Sequence, residues 1–132
     1  MNPIVRAMLN RILGRDGVDA AAKYLRLQGM RILKRNYRGP AGEIDLIARD
    51  GDVLVFVEVK TRRKGIPAEA VTPAKEKSLT LTALHFLRRH RALEVRSRFD
   101  IVAIVWPDSR QAPSIEHIRD AFEAVGRWQM FR

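Results

Sequence analysis

Apolar residues at Val18, Ala21, Ala22 and Leu25 recur at steps of three and four, the spacing of one helical face. The pattern predicts a helix through VDAAAKYLRLQG, capped by Asp16, with Asp19 near the favourable end of the dipole and Gly29 as the stop. After Gly29 the spacing changes. RILKRNYR reads as a short, heavily charged edge strand. EIDLIAR and DVLVFVEVKT read as two strands joined by a tight hairpin turn at Asp50-Gly51. The second of these is almost continuously apolar, which predicts a central strand covered on both faces. RRKGIPAEAV is a polar loop. Helical spacing then returns, with Thr72 as cap, Pro73 in the first helical position, and Leu79, Ala83, Phe86 and Leu87 facing inward as far as about His90. RFDIVAIVW is a further strand ended by Pro107, and SIEHI a last edge strand followed by a short helix through Phe122 and Val125. A helix set between strands implies a crossover, and so a mixed α/β sheet with helices on both sides.

The 132 residues make one domain by length. Residues 1–15 form a separate amphipathic helical extension, with Ile4, Val5, Met8, Leu9, Ile12 and Leu13 on one stripe beside Arg6, Arg11 and Arg15; residues 16–132 form the domain proper. The extension resembles neither a secretory signal nor a spanning segment, and packing on its own domain or a partner is its expected role over a transit peptide or membrane-surface helix. No cysteine is present, which excludes thiol nucleophiles, disulfides and cysteine-based zinc sites and suits a cytoplasmic location. The charge changes the picture most. Lys and Arg number 25 against 15 Asp and Glu, a formal net charge of +10, so polyanions and above all nucleic acid are the expected partners.

Within the predicted hairpin, Asp45, Glu58 and Lys60 place charge on strands that otherwise read as buried, which is costly unless the charges are paired or bound. Alternation puts Glu43 and Asp45 on one face, with Ile44 and Leu46 on the other, and puts Glu58 and Lys60 together opposite Val57 and Val59. A turn at Asp50-Gly51 sets Asp45 about level with Phe56, and sheet twist or a bulge can bring it beside Glu58, a register that the sequence leaves open. Two converging carboxylates make a hard-oxygen site suited to Mg²⁺ or Mn²⁺, and a lysine on the same face can orient water or stabilise developing charge. The bland alternative is an Asp45–Lys60 or Glu58–Lys60 ion pair with no ligand.

Asp-x(12)-Glu-x-Lys on adjacent strands resembles the core of the PD-(D/E)XK nucleases, with their restriction-endonuclease-like fold. RNYRGPAGEIDLIARD, VFVEVKTR, AVTPAK and RFDIVAI, taken in order, resemble the YraN family over about Gly17 to Phe122. The resemblance implies a mixed central sheet flanked by helices, with Asp45 and Glu58 as metal ligands, Lys60 as the catalytic lysine and Glu43 as an accessory. It also exposes a departure: Gly17-Val18 stands where the family usually has Gly-Glu, and the loop before Gly65 lacks an aromatic that the family often carries.

Arg62, Arg63 and Lys64 follow the catalytic block and lie where a phosphate backbone would approach. Lys75 and Lys77 stand in the first turns of a helix, against the dipole, a placement better suited to a bound phosphate. Asn36 and Arg38 are assigned to the same rim, and Arg98 and Asp100 to a structural ion pair. Trp128 and Phe131, in the basic tail, are expected to cover apolar surface or contact a second copy, with stacking on bases as the alternative. His85, His90 and His117 show no metal-binding spacing. The expectation is a cytoplasmic Mg²⁺- or Mn²⁺-dependent endonuclease acting on DNA, with branched DNA one candidate and a homodimer suited to cutting two strands. Its alternatives are a nucleic-acid-binding module of the same fold, with weak or no catalysis, and a basic interaction protein.

Overall fold

The computed structural model describes Ile4 and residues 17–65, 71–107 and 112–124. Helix α1 covers residues 17–27 and is followed by strands β1 (Arg31–Gly39), β2 (Gly42–Asp50) and β3 (Val53–Arg63), helix α2 (Pro73–Arg89), and strands β4 (Ser97–Trp106) and β5 (Ser114–Phe122). The strands form one five-stranded sheet in the order β1-β2-β3-β4-β5. Only the β3–β4 pairing is parallel, as the crossover through α2 requires.

An apolar cluster covers each face of this sheet. Ala21, Ala22 and Leu25 of α1 pack with Leu46, Ala48, Val55, Val57, Val102 and Ile104. Leu79, Ala83, Phe86 and Leu87 of α2 pack with Ile44, Ile47, Phe56 and Phe99. The alternating side chains of β3 feed both clusters, which is why that strand reads as continuously apolar. The fold is thus α/β with a mixed central sheet flanked by helices, consistent with a restriction-endonuclease-like arrangement. No helix among the described residues is long and apolar enough to cross a membrane.

The predicted ends hold well where capping chemistry is strong. Gly29 N–H donates to Arg26 C=O and Met30 N–H to Leu25 C=O, which closes α1 with paired carbonyls. Thr72 Oγ1 accepts from Lys75 N–H at 3.2 Å and Pro73 opens α2, whose C-cap is His90.

Three expectations are corrected. Asp50 pairs with Val53, so the turn residues are Gly51 and Asp52, with Gly51 at φ +62°, which glycine adopts without strain. That one-residue displacement moves the register by two, as a two-residue turn with Asp50 outside it demands. Second, Phe122 ends β5 instead of lying in a helix. A bulge between Phe99 and Ile101 lets β5 continue, with Asp120 at φ +49° and Phe122 stacked on Phe99 at 4.6 Å between centroids.

Third, Ile44 and Leu46 do not share a face, because Ile44 joins the α2-side cluster and Leu46 the α1-side cluster. Alternation fails at Asp45, opposite Asn36, whose φ is +49°. Asn tolerates this left-handed conformation better than most residues. Asp16, Val125, Trp128, Phe131 and the N-terminal extension apart from Ile4, which is helical and exposed, lie outside the described residues.

Candidate active site

The turn over Gly51 and Asp52 decides the geometry of the hairpin's other end. Leu46 pairs with Val57, the last ladder pair, so Asp45 and Glu58 are the next residues along the two strands, near enough for their charges to interact. No bulge between β2 and β3 is needed. Beyond Leu46 the ladder ends, and Asp45 Oδ2 instead accepts from the Val59 backbone N–H at 2.8 Å. The side chain thereby satisfies a donor that the ended ladder leaves open.

The other wall comes from α2. Ser78 Oγ donates to Ala41 C=O at 2.8 Å, pinning the β1–β2 turn to the helix. Gly42 permits this approach: a Cβ there would lie 2.4 Å from Ser78 Oγ. The same helix presents Lys75, whose Nζ lies 3.7 Å from Glu58 Oε1. Glu58 is 8% exposed, and its Oε2 is buried with no hydrogen-bond partner. Asp45 and Lys60 are half-buried. The Lys60 side chain makes no hydrogen bond or ion pair with another described residue, so neither lysine pairing expected for the unliganded alternative forms.

These surroundings hold both carboxyls above the ordinary carboxylate range. Burial raises Glu58 to about 7, helped by the neighbouring Asp45 charge and opposed by Lys75 and then Lys60. Burial also raises Asp45, against the Val59 hydrogen bond and the Lys75 charge; Glu43 adds to the rise and Lys60 opposes it. An unpartnered buried oxygen beside a second carboxyl fits a hard divalent cation, which takes one or two carboxylates and completes its shell with water and phosphate. No group of three or more His, Asp or Glu suited to a metal occurs among the described residues, so Asp45 and Glu58 would be the whole carboxylate contribution there.

Other predicted residues fall at varied distances from this centre. Glu43 is half-buried on β2 and lies 3.8 Å from Arg38, its ion-pair partner. Arg62 pairs with Glu116 of β5 at 3.1 Å, whereas Arg63, Lys64 and Lys77 are exposed. Val18 packs in the α1-side cluster, and Asp19 is exposed and pairs with Arg35, so neither stands in for an acid at the carboxylate pair.

A second charged cluster lies on the opposite face. Asp100 is fully buried and accepts from Arg98 Nε at 3.0 Å and from the Asp120 N–H at 3.0 Å. His117 donates through Nε2 to the Asp100 carboxylate at 2.8 Å, and its Nδ1 lies within hydrogen-bond distance of the Tyr24 hydroxyl at 3.2 Å. Arg98 also reaches Asp50 at 3.0 Å. Its acceptors outweigh burial and raise its pKa. The expected Arg98–Asp100 pair is thus the centre of a larger network that ties α1, β2, β4 and β5. Sequence reading missed His117 because its partners are 17 and 93 positions away.

Fold and site together describe an α/β domain with two neighbouring carboxyls and two lysines where a hairpin ladder ends. The chain belongs to the UPF0102 family, the YraN family that its motifs resemble. The matching family description is "Uncharacterised protein family UPF0102", over residues 17–104. A UPF0102 protein of Geobacter sulfurreducens is 51% identical over 119 residues, covering 86% of this chain and 91% of the relative. One from Rhodococcus opacus is 53% identical over 116 residues, covering 86% and 98%. A third, from Prosthecochloris aestuarii, is 49% identical over 119 residues, covering 85% and 94%.

Proposed function

We propose that this protein is a metal-dependent endonuclease that hydrolyses phosphodiester bonds in DNA, with branched DNA among its substrates. The observation that carries the reading is the buried, unpartnered Glu58 Oε2 on a carboxyl that feels the neighbouring Asp45 charge. Asp45 and Glu58 would hold Mg²⁺ or Mn²⁺. When bound, such an ion supplies an acidified water and offsets charge on the phosphate. Val59 N–H orients Asp45 through one oxygen. Lys60, unpaired among the described residues, is the cation available to orient a water or stabilise charge developing on the phosphate. Arg63 and Lys64 are exposed just beyond it and would hold the phosphate backbone without reading sequence. The net charge of +10 supports a polyanionic substrate.

A second reading is a nucleic-acid-binding module with weak or no catalysis. It draws on Val18 lying in the apolar cluster and on the lack of a third candidate acid ligand among the described residues. One experiment separates the two. Supercoiled and branched DNA are incubated in Mn²⁺, Mg²⁺ or EDTA with wild type and with Asp45→Ala/Glu58→Ala, purified identically. Metal-dependent cutting by wild type alone is expected. Equal cutting by both would assign the activity elsewhere, and salt-sensitive binding without cutting would leave the binding module.

A further inference from the structure

The cation at Glu58 is not the lysine two positions along its own strand. Lys75 Nζ approaches Glu58 Oε1 to 3.7 Å from another element, whereas Lys60 makes no ion pair among the described residues. Lys75 also outweighs Lys60 in its electrostatic effect on both Asp45 and Glu58. Its backbone is held in place, because its N–H is the donor to the Thr72 cap. Positive charge in a helix's first turn opposes the dipole, so this position is unfavourable for lysine unless something negative faces it. The carboxyl pair is what faces it. Burial makes negative charge on this pair costly, and Lys75 reaches one oxygen of Glu58 while Oε2 stays unpartnered.

We propose that Lys75 is the internal counter-cation of the Asp45–Glu58 pair and competes with the divalent metal for it. Its ammonium neutralises the carboxylates while no metal is bound and is repelled from Glu58 when one binds. The inference rests on the reading that this pair takes a divalent ion. It assigns Lys75 a role separate from holding nucleic acid and leaves Lys60 disengaged for the phosphate.

The test is Mn²⁺ binding measured by calorimetry at low ionic strength, with no nucleic acid present. The variants are Lys75→Gln, Lys75→Arg, Lys77→Gln and Asp45→Ala in the full chain. One like charge removed from a partly buried site should tighten Mn²⁺ binding about tenfold in Lys75→Gln. Lys75→Arg keeps the charge and should remain near wild type. Lys77→Gln makes the same charge change at an exposed neighbour and should shift affinity less than about twofold, as solvent screening requires. Metal-free Lys75→Gln should also melt below wild type and gain more from saturating Mn²⁺. Affinity in Lys75→Gln equal to or weaker than wild type, or tightened no more than in Lys77→Gln, would overturn the inference. Identical Mn²⁺ isotherms for wild type and Asp45→Ala would instead remove the metal reading itself, and this inference with it.

Discussion

Asp45 Oδ2 accepts the Val59 N–H at 2.8 Å, just past the last ladder pair between their strands. A side-chain carboxyl here does what a backbone carbonyl does elsewhere in the sheet. It stitches β2 to β3 while the strands stop pairing, and it spends only one of its two oxygens. The opening created at that point is where Glu58, Lys60 and Lys75 converge. The same residue therefore ends the ladder and furnishes half of the carboxyl pair.

Glu58 should make stability measured in EDTA sensitive to pH. Its folded pKa of about 7 stands above the ordinary 4.5, so the folded state holds a proton that the unfolded state releases across that window. Stability from this group is highest below the lower value and falls as pH rises through the higher one, by about 3 kcal/mol in full. In EDTA, Glu58→Gln should be about 3 kcal/mol more stable than wild type near pH 8 and nearly equal to it near pH 4. Urea denaturation across that range checks this. A difference that does not change with pH would refute it.

The buried network on the other face should act on stability alone. Asp100→Ala leaves Arg98 and His117 without their shared carboxylate and the Asp120 N–H without its acceptor. Removing one partner of such a buried pair costs about 3–5 kcal/mol. Chemical denaturation should show that loss, whereas Mn²⁺ affinity of the folded variant should match wild type. A large drop in metal affinity would mean the two faces are coupled.

Basic residues beside the site should differ in their contribution to DNA binding. Arg63→Gln and Lys64→Gln should each reduce the slope of log affinity against log salt by about 0.9. Arg62→Gln should reduce it by less, because Glu116 already pairs with that guanidinium. Fluorescence anisotropy over a salt series in EDTA measures all three. Equal reductions would count against a standing Arg62–Glu116 pair in the bound state.

Much of the architecture is legible in the sequence because local chemistry determines it. Thr72-Pro73 starts a helix by cap and φ, Gly29 ends one, and the unbroken apolar run through Phe56 belongs in the centre of a sheet. The Asp45, Glu58 and Lys60 set could be named because charge on such strands has few uses. Its reading as a nuclease core rests on family resemblance, not on pattern.

Tertiary structure decided the rest. A turn at Gly51-Asp52 instead of Asp50-Gly51 is a displacement of one residue that local propensity barely resolves, yet it sets Asp45 near Glu58 instead of Phe56. The reversal of faces at Asp45 and the bulge that carries β5 through Phe122 likewise arise where neighbouring strands meet. Lys75 at Glu58 and His117 at Asp100 are contacts between elements far apart in the chain. Periodicity determines which face of an element is apolar, since that depends on adjacent residues. Which charge answers which is determined only by packing, because the partners come close in space and not along the sequence.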